Sequence, residues 1–170
     1  MAKVQLQVKG LEALQKKLQQ KKKQVENRLN TELLQLAEEA VKYSMENKGY
    51  KDHTANLKNS ISFALYKDGL LITQAVGNGY NATYKDEDNK EHKNPLTKDE
   101  VINMRNNALE AYAQQEGVIA PKGYSLIIVA GMNYGKYVED KGYNVLHLTK
   151  YFLREELRKI FEEIKEEFSG

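Results

Sequence analysis

An α+β fold, with a long N-terminal helix and a C-terminal helix packed on a small antiparallel sheet, is predicted by three features of this 170-residue chain. Residues 11–47 contain neither Gly nor Pro and repeat apolar residues in helical steps: Leu11, Leu14, Leu18, then Val25, Leu29, Leu33, Leu36, Ala40 and Tyr43. Asp68-Gly69 stands between two β-like runs, as in a tight hairpin. Leu153, Leu157, Ile160, Phe161, Ile164 and Phe168 then give the end of the chain a helical stripe. The chain reads as one domain over 1–170, with a helical insertion, 78–122, between the sheet strands.

Taken in order, Val4, Leu6 and Val8 alternate with Gln5, Gln7 and Lys9, which predicts a short half-buried strand ended by Gly10. The helix that follows would be about 55 Å long at about 1.5 Å per residue. A compact chain of this size is only about 40 Å across. One end of the helix must therefore overhang, bend or meet another subunit. The stripe lapses across Gln19-Gln20-Lys21-Lys22-Lys23, so the bend or overhang is placed near Lys21. At Lys48-Gly49-Tyr50 the helix stops, with Gly49 free to take a left-handed cap.

Thr54 is placed to cap one helical turn that leads into a strand, in which Ile61, Phe63 and Leu65 oppose Ser62, Ala64 and Tyr66. Asp68-Gly69 turns it into a second strand, residues 70–76, pairing antiparallel with the first. Past Gly77-Asn78-Gly79 the chain becomes polar up to Pro95. Thr97-Lys98-Asp99-Glu100 has capping-box form and opens a helix with Val101, Met104, Ala108, Ala111 and Tyr112 on its apolar side, ended by Gly117. Residues 124–130, apolar on both faces, predict a central strand. Residues 133–143 read as a loop or short helical turn, and Thr149 can cap the last helix.

Composition narrows the function. Lys and Arg number 26 against 24 Asp and Glu, a net charge of +2 that argues little for nucleic acid by itself. Zero Cys excludes disulfides, thiolate catalysis and Cys-ligated zinc. No stretch approaches the ~20 apolar residues of a bilayer span, and the start of the chain lacks the apolar run of a secretion signal. Eleven Tyr serve equally well at interfaces and on sheet faces.

Catalytic and metal patterns were sought among the polar residues. His53, His92 and His147 show no metal-pair spacing and stand beside no recognisable nucleophile. Asp86 and Asp88 resemble the opening of a calcium loop, but Lys90 takes a ligand position and Glu91 the place of the turn Gly, which excludes it. Glu38-Glu39 and Glu162-Glu163 fall on solvent faces of helices. No cofactor, metal or catalytic residue is expected, and the chain is not read as an enzyme.

Two stretches resemble a known family. Thr54-Ala55-Asn56-Leu57-Lys58-Asn59-Ser60-Ile61 is similar to the Thr-Gly-x-Leu-(Arg/Lys)-x-Ser-Ile signature of small tailed-phage proteins known as minor tail components, tail-completion or head–tail connector proteins. Tyr134-Gly135-Lys136-Tyr137-Val138-Glu139, followed by Gly142, resembles that family's Tyr-Ala-x-Tyr-Val-Glu-x-Gly-Thr. Ala55 replaces the usual Gly, two residues separate Glu139 from Gly142, and Tyr143 stands where Thr is usual. The likeness covers about three quarters of the chain, leaving out 78–122.

That resemblance implies a phage or prophage structural subunit of the neck or tail, without catalysis, assembling with itself as a ring, often sixfold, and with other neck or tail proteins. DNA would pass without specific binding. The protein would be found in the host cytoplasm during assembly and then in the virion. A ring needs a heterologous interface that closes. Candidate interface residues are Leu11, Leu14 and Leu18 on the helix, and Tyr134, Tyr137, Val138 and Tyr143 in the loop, where packing against the sheet is the competing role. The alternative reading is a nucleic-acid-binding module using a basic edge of Lys16, Lys17, Lys21, Lys22, Lys23 and Arg28, for which a solvated helix face is the competing role.

Overall fold

A computed structural model describes residues 10–51, 53–77 and 79–169. The predicted strand over 4–8 lies outside the described residues. Four helices and five strands follow in the order α1 (Leu11–Glu46), β1 (Ile61–Lys67), β2 (Leu70–Ala75), β3 (Thr83–Lys85), β4 (Glu91–Lys93), α2 (Lys98–Ala113), β5 (Tyr124–Ala130), α3 (Gly135–Asp140) and α4 (His147–Phe168), with one 3-10 turn, Lys58–Ser60, before β1. The fold is α+β, as predicted.

The main sheet has the order β2-β1-β5, with both neighbours antiparallel to β1. Asp68 (φ 51°) and Gly69 (φ 83°) supply the positive backbone angles of the β1–β2 turn. Five consecutive residues of β1, Ile61 to Leu65, are buried, because helices cover both of its faces. On one face Leu65 packs with Leu33 and Leu36 of α1 and with Ile160 and Ile164 of α4. On the other, Ala64 and Ile127 pack with Leu109 of α2. The insertion thus contributes the third layer of the core.

β5 corrects the prediction of a central strand: it lies at the sheet edge, and β1 is central. Its two apolar faces reflect two covering helix layers, not two strand neighbours. α1 and α4 run antiparallel, tied by Arg28 and Glu167 (3.6 Å) at one end and by stacked Tyr43 and Phe152 (4.5 Å between ring centroids) at the other.

Three local expectations change in detail. Gly49 does not take the left-handed cap; α1 ends at Glu46, and the Asn47 backbone and side chain both donate to the Tyr43 carbonyl. A Cβ at Gly49 would stand 3.0 Å from the Asn144 backbone nitrogen, so close approach is what Gly49 permits. Thr149 does not cap α4, which begins two residues earlier; the Asn144 side chain accepts from the Leu148 N–H at 2.8 Å instead. Thr54 accepts from the Asn56 N–H at 3.3 Å, while the 3-10 turn itself starts after Leu57. The capping box at Thr97 and Glu100 forms as predicted, and the Thr97 hydrogen bonds hold the Glu100 carboxyl below its ordinary range. The polar run after Gly79 contains the small β3–β4 hairpin.

The buried face of α2 is Val101, Arg105 and Leu109; Ala111 and Tyr112 are exposed. Arg105 is fully enclosed, and its guanidinium donates to the carbonyls of Gly77 and Gly79, each at 2.6 Å. Burial pushes its pKa down from the usual value. Periodicity had no way to place a cation at the centre of an apolar face.

Candidate assembly surface

α1 is one unbroken helix of 36 residues, and residues 11–24 are all exposed. Packing begins at Val25, which joins the same core cluster as Phe168 near the end of α4. The overhang predicted near Lys21 is therefore present, and no bend is needed. Fourteen residues at about 1.5 Å each carry Leu11 roughly 21 Å beyond the packed body. Leu11, Leu14 and Leu18 are 51%, 55% and 59% exposed. At about 100° per residue they share an arc of roughly 60°. An isolated helix this short is marginal in water. Continuity with the packed part of α1 sustains it, and its apolar stripe is left without a cover among the described residues.

The basic residues do not form one edge. At about 100° per residue, Lys17, Lys21 and Arg28 flank the leucine stripe on one side, Lys22 lies on the other, and Lys16 and Lys23 point away. Arg28 is held between Glu32 (2.8 Å) and Glu167 (3.6 Å), and Lys22 stands 4.0 Å from Glu26. A phosphate would have to compete with carboxylates already in place.

The two family-like stretches, far apart in sequence, meet in space. Leu57 is buried in a cluster with Val101, Met132 and Val145, and Val138 packs against it. A Cβ added at Gly135 would come within 3.1 Å of the Leu57 side chain, so Gly135 lets the second stretch close on the first. Glu139 Oε2 accepts from the backbone N–H of Val145 (2.6 Å) and of Leu146 (3.0 Å), fixing the entry to α4. Gly142 adopts φ 83° just after α3. Ser60, also buried, donates to the Leu57 carbonyl at 2.7 Å.

Ala55 has φ 58°, a left-handed conformation that costs an L-residue about 1–2 kcal/mol. This is the position where the resembled signature carries Gly. Ala55→Gly is expected to raise unfolding stability by about 1 kcal/mol, the strain relieved outweighing the entropy gained by the unfolded chain. Urea denaturation checks this; an unchanged or lower midpoint overturns it.

Tyr134, Tyr137 and Tyr143 are exposed around α3, with Lys141 Nζ 5.4 Å from the Tyr137 ring centroid. Val138 is turned inward and packs with Leu57, so of the four loop candidates it belongs to the internal joint. α3 lies on the main body and the α1 stripe on the projection, so the two candidate groups are separate surfaces of the molecule.

Sequence reading missed a third surface, at the outer edge of β5. No described strand pairs with it, and it floors a groove walled by α2 and α4, with a cavity of about 1020 Å³ beside Leu126, Ile127 and Ile128. Exposed Tyr112 and Phe161 line its walls. Nothing in the apolar spacing of either helix distinguished these two rings from core residues.

Among the described residues no group of three or more His, Asp or Glu could hold a metal ion. Asp86 is already engaged by the Asp88 and Lys90 N–H groups and by His92 Nε2 at 2.5 Å. No described helix is long and apolar enough to cross a membrane. Fold and surfaces together define a three-layer helix–sheet–helix protein with a projecting helix and, among the described residues, a sheet edge at β5 that no strand covers. No family model, curated protein or solved structure matches the chain.

Proposed function

We propose that this chain is a structural subunit of a phage or prophage neck or tail, a tail-completion or head–tail connector component that works as part of an oligomeric ring. The observation that carries the reading is the α1 projection, whose exposed leucine stripe no described part of the same chain covers. An exposed apolar stripe on a projecting helix marks a surface that a second body covers. A head-to-tail contact that closes produces a ring. The meeting of the two family-like stretches supports the resemblance, because it gives a physical reason for both to occur in one chain.

Native mass spectrometry with electron microscopy over a range of concentrations tests the proposal. A closed ring of one discrete order is the expected result. A monomer at every concentration, alone and with isolated phage neck proteins, overturns it. Retention on DNA that falls steeply between low and moderate salt would instead favour the nucleic-acid reading.

A further inference from the structure

We propose that copies of this chain join edge to edge, with β2 of one copy seated as an added strand on the free edge of β5 of the next. The inference rests on the ring assembly above and adds to the α1 stripe a second joint between the same neighbouring copies.

The hydrogen-bond phase shows which backbone groups β5 turns outward, and no described strand takes them up. Gly123 accepts from the Asp68 N–H (2.8 Å), and the Gly131 N–H donates to Ser60 (3.1 Å), at the two ends of the β1–β5 register. Backbone groups alternate in direction along an antiparallel ladder. Residues 125, 127 and 129 therefore bond to β1, and the N–H and C=O groups of Tyr124, Leu126, Ile128 and Ala130 point into the groove. No backbone hydrogen bond to another described segment takes up these four residues.

β2 has the complementary shape. Five of its six residues are exposed, Leu70 at 75%, and no described strand pairs with its outer edge. The helix layers cover β1 and β5 and stop short of β2, so β2 protrudes by about one strand, while β5 is recessed between α2 and α4. Tongue and groove agree in their mainly apolar character.

Charge agrees with this fit. The residues lining the groove include Lys150, Arg154 and Arg158 and no carboxylate, whereas the hollow flanking β2 includes Glu110 and no cation. Neither strand carries a charge or a Pro, the usual devices that stop an edge from pairing. β2 and β5 are parallel within a copy, so a rotation about an axis along the strands adds β2 parallel to β5 and continues the sheet through the ring.

The absence of native Cys allows a direct test. Neighbouring strands lie about 4.7–4.9 Å apart, which is within disulfide reach. Double variants pairing Ile128→Cys with Leu70→Cys or with Ile72→Cys are oxidised as the assembled protein. The expected result is a ladder of covalent multimers up to the ring order, with single variants stopping at dimers. Ile72→Lys, at an exposed site that folding tolerates, is expected to raise the concentration for half-assembly by about tenfold or more. A ring that forms while no β2 pair gives a ladder and Ile72→Lys assembles normally overturns this joint and leaves the ring standing. A ladder from Leu6→Cys with Ile128→Cys alone also overturns it, by putting the amino-terminal segment in the groove. Absence of any assembly overturns both joint and ring.

Discussion

Arg105→Ala is expected to lower unfolding stability by about 3–5 kcal/mol, a loss as large as truncating a buried Leu or Phe of the core. The guanidinium makes two charge-assisted hydrogen bonds, to Gly77 and Gly79, each contributing about 1.5–3 kcal/mol. Its stem fills the middle of the α2 face between Val101 and Leu109. Truncation leaves a cavity and two carbonyls without their donor. Against this, a buried guanidinium carries a desolvation cost, because among the described residues no carboxylate is paired with it and its Nε has no hydrogen-bond partner. The two hydrogen bonds and the packing outweigh that cost only if all are lost together, as in the Ala variant.

Arg105→Lys should lose an intermediate amount, since one ammonium cannot reproduce the planar fork that reaches both carbonyls. For a chain of this size the Ala variant should melt roughly 10 °C lower. A loss below about 1 kcal/mol would show that Arg105 merely tolerates burial.

Leu11, Leu14 and Leu18 replaced together by Ser should abolish assembly while leaving the fold intact. Each side chain is about half exposed in the single chain. Covering it therefore contributes about 1 kcal/mol, and the three together about 3 kcal/mol, over a hundredfold in association. The substitutions lie beyond the first packed residue, Val25, so core unfolding should move by no more than about 0.5 kcal/mol. Sedimentation velocity beside thermal melting separates the two effects. Assembly that persists unchanged would remove the projecting stripe as an interface.

Much of the architecture was legible before any coordinates. The unbroken run 11–47, the lapse in its stripe near Lys21, the Asp68-Gly69 turn and the Thr97-Glu100 capping box all depend on neighbours within a few residues, so local pattern determines them. Length alone required the helix to overhang, bend or meet another subunit, and the unbroken α1 of the structure decided for the overhang.

Other features depend on contacts distant in sequence, and only the tertiary structure decided them. Val138 and Tyr137 adjoin in the chain, yet one packs on Leu57 and the other faces solvent. Arg105 is buried because the carbonyls of Gly77 and Gly79 come to meet it. β5 reads as a central strand, because an apolar sequence reports that both faces are covered and is silent about what lies alongside in the hydrogen-bonding direction. Faces are encoded by side chains, whereas edges are made of backbone that every residue shares, so the open edge and the groove around it were set by how the helices closed over the sheet.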